Sequence, residues 1–154
     1  PAHRAACALA RRIGEVEVAP ADIVVMANRE QGGLDLFQFI KSLVQAGRIA
    51  RPGGAVIGVG SLEHRAAGTG DPHTRPNFAI KEVVYYLGIR PAIARDVAFY
   101  LVAPGARELA AGSFFRPCAT LEEAMIAARK RVGEGARVVR VPDIDLLVPL
   151  VAPD

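Results

Sequence analysis

What most constrains this chain is a change of period that repeats along it. Short, continuous apolar runs alternate with segments whose apolar residues recur at helical spacing. Ile23-Val24-Val25-Met26-Ala27 is apolar throughout and is followed by turn residues, as in a strand buried on both faces of a parallel sheet. Directly after it, Leu36, Phe39, Ile40, Leu43 and Val44 fall at i, i+3, i+4, i+7 and i+8, one apolar face of a helix. Asp35 is placed to cap that helix, with Gln38 three positions on as in a capping box. Gly47 is a natural stop for it. Arg51-Pro52-Gly53-Gly54 reads as a turn into a second buried strand, Ala55 to Gly60.

The same alternation extends to both ends. Ala2 to Ile13, rich in Ala and Arg, reads as a helix ended by Gly14. A polar, Gly-rich loop runs from Ser61 to about Pro76, and a helix follows from about Asn77 to Leu87, stopped by Gly88. Val97 to Val102 reads as a third strand. Pro104-Gly105 opens a short Ala-rich helix ending near Gly112, and Ser113 to Arg116 reads as a short fourth strand. Thr120-Leu121-Glu122-Glu123 is a capping box for a helix reaching about Val132, with Gly133 past its end. Arg137 to Val141 is a further strand ended by Pro142, and the tail carries one more apolar run, Leu146-Leu147-Val148. Strands alternating with helices specify an α/β fold: a three-layer, Rossmann-like arrangement with a mostly parallel sheet, helices on both faces and right-handed crossovers.

Length and charge narrow the function classes. The 154 residues, 51% of them hydrophobic, fit a single α/β domain spanning 1–154. The net charge of +3 is mild, and basic residues lie along the whole chain, often beside acidic ones, so no nucleic-acid partner is expected. No apolar run reaches the roughly 18 residues of a membrane span. Cys7 and Cys118 stand alone, in no metal-ligand spacing and no redox pair, and a reducing cytoplasmic setting is the default for such a chain. It begins Pro1-Ala2-His3, without Met, which reads as a piece of a longer polypeptide.

Two constellations are candidates for chemistry. In open α/β sheets ligands bind beyond the carboxyl ends of the strands, and helix N-termini favour anions. Gly32 and Gly33, after the first buried strand, would allow a ligand close to the backbone. Gln38 and Lys41, three apart on the next helix, would present an amide and an ammonium to it. Spacing alone also fits a Gln38 that only completes a cap and a Lys41 that is merely solvated, the usual condition of lysine. The second constellation, Glu63, His64, Asp71, His73 and Arg75, matches no strong metal motif and reads better as a solvated loop; no metal ligands are assigned. Cys118 reads as a small packing group rather than a nucleophile.

Asp22-Ile23-Val24-Val25, Gly32-Gly33, Asp35, Phe37-Gln38-Phe39-Ile40-Lys41 and Arg51-Pro52-Gly53-Gly54 together resemble the C-terminal domain of the nickel-dependent lactate racemase family. Thr120-Leu121-Glu122-Glu123-Ala124, Val141-Pro142 and Val148-Pro149 resemble its later elements, over about residues 20 to 150. The stretch between Gly-Gly and Gln38 is shorter here than in the family. The resemblance implies a racemase or epimerase acting on a small anionic 2-hydroxy acid by hydride transfer. It implies a nickel-pincer nucleotide held by an N-terminal domain of the same polypeptide, outside this chain, so that no cofactor is expected in these 154 residues. Gln38 and Lys41 would face the substrate from a cleft-closing domain. Two other classes stay open: a stand-alone Rossmann-like domain binding a nucleotide or S-adenosylmethionine, for which the G-x-G-x-x-G spacing is missing, and a non-catalytic assembly module. Self-association is open as well.

Overall fold

The structure is a computed structural model of the chain and describes residues 2–28, 36–61, 88–107 and 114–152. In chain order the elements are α1 (Ala2–Gly14), β1 (Glu15–Val18), β2 (Ala21–Ala27), α2 (Leu36–Ile49), β3 (Ala50–Val59), α3 (Arg90–Ala94), β4 (Ala98–Val102), β5 (Phe115–Cys118), α4 (Leu121–Val132), β6 (Val138–Val141), a 3-10 turn (Ile144–Leu146) and β7 (Val148–Val151). Five strands form one sheet in the order β5-β4-β3-β2-β6, and every pairing in it is parallel. β1 and β7 form a separate two-stranded parallel ribbon.

The continuous apolar runs are explained by burial on both sides. Val24 and Met26 of β2, Val56 of β3, and Phe99 and Leu101 of β4 pack with Phe39, Leu43 and Ala46 of α2. The alternate residues Ile23, Ala55, Ile57, Ala98 and Tyr100 pack with Ala124 and Ala128 of α4. Successive strand side chains point to opposite faces, so a strand covered by helices on both faces is apolar at every position. Each fully buried Ile, Leu or Phe contributes roughly 1.5–3 kcal/mol. Close approach of α2 to the sheet needs Gly58: a Cβ there would lie 2.8 Å from Phe39 Cζ and 3.0 Å from Leu43 Cδ2.

Several boundaries differ from the sequence expectation, each for a tertiary reason. Helix α2 does not stop at Gly47 but runs to Ile49. Gly47 is small because Ala92 and Phe99 press on it, and the last carbonyls of the helix are satisfied by Arg95, whose guanidinium donates to Gly47 O (2.5 Å) and Ala50 O (3.1 Å). A cation is well placed at a helix C-terminus. Arg51-Pro52-Gly53-Gly54 is not a turn before the strand but part of β3. The pairing of β2 with β3 slips between Ala21 and Ile23, and Gly53 takes φ +76°, so the expected turn is absorbed as a bulge. Gly88 is not a stop either. It lies in helical chain leading into α3, and a Cβ there would collide with Val44.

The fourth strand is Phe115–Cys118, two residues later than Ser113 to Arg116, because Phe115 and Cys118 are the residues that reach the interior. β1 was not anticipated, although Glu15-Val16-Glu17-Val18 alternates with the period of a strand. The capping box at Thr120 is present: Thr120 Oγ1 accepts from Glu123 N–H (3.1 Å). Glu123 Oε2 accepts from Ala119 N–H (2.7 Å), one residue earlier than in the usual box. The helices expected at 77–87 and 105–112 and the loop from 61 to 76 fall largely outside the described residues. Among the described residues no helix is long and apolar enough to cross a membrane.

Candidate functional site

Strand order decides where a ligand crevice belongs. From β2 the chain moves outward through β3 and β4 to β5, then returns to the other side of β2 to lay down β6. The connections after β2 and β6 therefore diverge, and the crevice of an open parallel sheet lies where they part. Met26 is opposite Val141 in the register, so the chain leaves the two strands side by side, as Ala27-Asn28 on one and Pro142-Asp143 on the other.

Asn28 is half-buried at this point. Its Nδ2 donates to Ser42 Oγ at 2.9 Å, and Ser42, on α2, is only 4% exposed. The other end of the carboxamide, Oδ1, is enclosed and has no hydrogen-bond partner among the described residues. An enclosed acceptor left unpaired costs about 1–3 kcal/mol, a cost that a ligand N–H or O–H would relieve. Asp143 adds a second irregularity. It has φ +52° and ψ 39°, a left-handed conformation in a non-glycine residue, and its side chain makes no cap to the 3-10 turn that follows. Strained positions of this kind are often found at functional sites.

The residues named from sequence fall as follows. Lys41 is on α2 beside Ser42, with its side chain exposed. Gln38 is in the first turn of α2, and its side chain lies outside the described residues. Gly32 and Gly33 lie outside them too, as do Glu63, His64, Asp71, His73 and Arg75. Asn28 and Ser42 were missed. A lone Asn after a strand carries no motif, and Ser42 lies within an apolar helical face; only the fold brings them together.

The chain is similar in fold to lactate racemase. The solved structure of the lactate racemase apoprotein from Thermoanaerobacterium thermosaccharolyticum superposes with a TM-score of 0.69, over 96% of this chain and 40% of that one, at 17% sequence identity. At that identity the likeness shows the fold, and this chain spans 40% of the length of that protein. No protein-family model matches the sequence, and no curated protein matches it.

A second concavity lies at the outer side of the same sheet edge. Ala103, Gly105, Ala106, Arg107, Cys118 and Ala119 line a pocket of about 210 Å³ beyond β4 and β5. That is below the roughly 300–1,000 Å³ of ordinary small-molecule sites, and it is away from the point where the connections diverge. Cys118 does not make it nucleophilic. Burial, and then the nearby Glu123 carboxylate, push its thiol pKa up, so the thiol stays protonated at neutral pH.

Proposed function

We propose that this chain is the substrate-side, cleft-closing domain of a lactate racemase-like enzyme, a nickel-pincer racemase or epimerase acting on 2-hydroxy acids by hydride transfer. The observation that carries this reading is the match of nearly the whole chain to 40% of a lactate racemase. The enclosed, unpaired Asn28 Oδ1 at the β2–β6 crevice supports it. A 2-hydroxy acid offers one carboxylate and one hydroxyl. Lys41 has the charge to meet the carboxylate, and Asn28 Oδ1 is an acceptor in want of a donor such as that hydroxyl. Closing the sheet edge over the substrate would exclude water from it.

Among the described residues no three His, Cys, Asp or Glu side chains come together, so they do not fit a nickel site. In this reading the metal and its nucleotide belong to a companion N-terminal domain of the same polypeptide. What this chain contributes is binding, orientation and exclusion of water.

The reading is tested by titrating the isotopically labelled chain with D- and L-lactate and following its amide resonances. The expected result is millimolar binding that perturbs Asn28, Lys41, Ser42 and Asp143, and that weakens at least several-fold in Lys41→Ala. Perturbations confined to the β4–β5 pocket, or none, would overturn it. So would racemase turnover by these 154 residues alone.

A further inference from the structure

The end of the molecule built from α1 and the β1–β7 ribbon has a composition that the crevice does not explain. α1 is a 13-residue helix, and every residue from Ala2 to Ile13 is exposed. Ile13 is 77% exposed and Leu9 55%. At 100° per residue these two lie on one side with Ala2, Ala5 and Ala6. Isolated helices of about this length are marginal in water and depend on packing an apolar face, yet this face stays exposed among the described residues. Elsewhere among the described residues such side chains are fewer and scattered. Of the ten exposed large apolar side chains among the described residues, six (Leu9, Ile13, Val16, Leu146, Val148 and Leu150) belong to α1, the ribbon and the turn before β7.

The ribbon supplies a matching surface. Its register sets Glu15 beside Val148 and Glu17 beside Leu150, so these four share one face, and all four are exposed. The opposite face carries Val16, Val18, Pro149 and Val151, of which only Val16 is exposed. The outward face is thus an apolar pair edged by two carboxylates. α1 has the complementary pattern. Arg12 borders its apolar stripe, Arg4 and Arg11 lie on the opposite side, and the helix has no acidic residue. Arg11 pairs with Glu15 of its own chain at 3.7 Å. Arg12 and Glu17 make no ion pair among the described residues.

Helix and ribbon are consecutive, joined at Gly14-Glu15, so α1 cannot fold back onto the outward face of its own ribbon without breaking. A second copy related by a twofold axis meets no such restriction, and one patch with both halves of the pattern is what a self-complementary twofold contact requires. We propose that this face is a twofold interface between two copies of this chain, with α1 of each lying on the β1–β7 ribbon of the other. Leu9 and Ile13 then cover Val148 and Leu150, and Arg12 faces Glu17. The proposal stands apart from the racemase reading. A helix about 20 Å long on a four-residue ribbon buries less than the roughly 800 Å² per partner of a standard interface, so a weak, concentration-dependent dimer is expected.

Sedimentation velocity on the 154-residue chain, from low micromolar to near millimolar, tests it. The expected result is a reversible monomer–dimer equilibrium. The double substitution Leu9→Asp/Ile13→Asp should leave the chain monomeric throughout, with an unchanged circular dichroism spectrum because both side chains already face solvent. Arg12→Glu and Glu17→Arg should each weaken the dimer several-fold, and together they should restore it. A wild-type monomer at every concentration overturns the proposal and leaves the face to another domain. A dimer that survives Leu9→Asp/Ile13→Asp, or a charge reversal that fails to restore it, overturns it as well.

Discussion

At the scale of single residues, the molecule separates groups that look alike in sequence. Cys7 is exposed on α1, with its sulfur 3.6 Å from Nδ1 of His3, whereas Cys118 is buried and its thiol is held above the usual range by burial and Glu123. A disulfide-exchange reagent is therefore expected to modify one thiol per native chain quickly and the second only on unfolding; two equally fast thiols would contradict the burial of Cys118. The raised pKa also carries a sign. The folded state favours the neutral thiol, so its contribution to stability is whole below the ordinary thiol pKa and is lost as pH rises through the folded value. Asn28 illustrates what cannot be read in advance. Its partner Ser42 is 14 positions away, and the pair exists because α2 lies on β2. Ser42→Ala would leave the Asn28 amide without either partner and should cost about 1–3 kcal/mol in urea unfolding, with Asn28→Ala/Ser42→Ala losing less than the sum of the two single changes.

At the scale of elements, local signals were legible wherever the stabilising contact is itself local. The cap of α4 lies within five residues, from Ala119 to Glu123, and it forms. Thr120→Ala should lower stability by about 0.5–2 kcal/mol, measured by denaturant unfolding. The C-terminal end of α2 was misread because what satisfies it is Arg95, from 45 to 48 residues away. A glycine at position 47 looks like a stop in sequence, but it serves packing. Gly58 makes the same point within a strand. Gly58→Ala should cost roughly 1–3 kcal/mol by overpacking, because Phe39 and Leu43 have no room to retreat from a new methyl group in a core already closed by the sheet. An alanine variant as stable as the parent would show that α2 stands further off the sheet than it does here. The bulge at Arg51–Gly54 belongs in this group as well. Asp22 holds it from outside the strand, accepting from Arg137 N–H at 2.8 Å and meeting Arg51 at 3.5 Å.

At the scale of the whole molecule, the two faces of the sheet form the stable body and α1 is an appendage to it. Removing residues 1–13 should leave the unfolding midpoint unchanged at protein concentrations too low for association, since those residues bury nothing in the core; a markedly lower midpoint would mean that α1 packs on its own domain after all. By itself the sequence determined the class of fold. Runs apolar at every position demand a sheet covered on both faces, helical spacing between them demands the covering helices, and the two together demand parallel strands, all through short-range periodicity that tertiary contacts need not be known to read. It also put forward Gln38 and Lys41, on the helix that follows β2, as candidate polar residues. The tertiary structure alone decided the strand order, and with it which edge holds a crevice, that Asn28 meets Ser42 there, and that β1 pairs with β7. Those pairings join residues far apart in the chain, and no local pattern encodes which of several compatible apolar strands will lie side by side; that is settled by the packing of the whole.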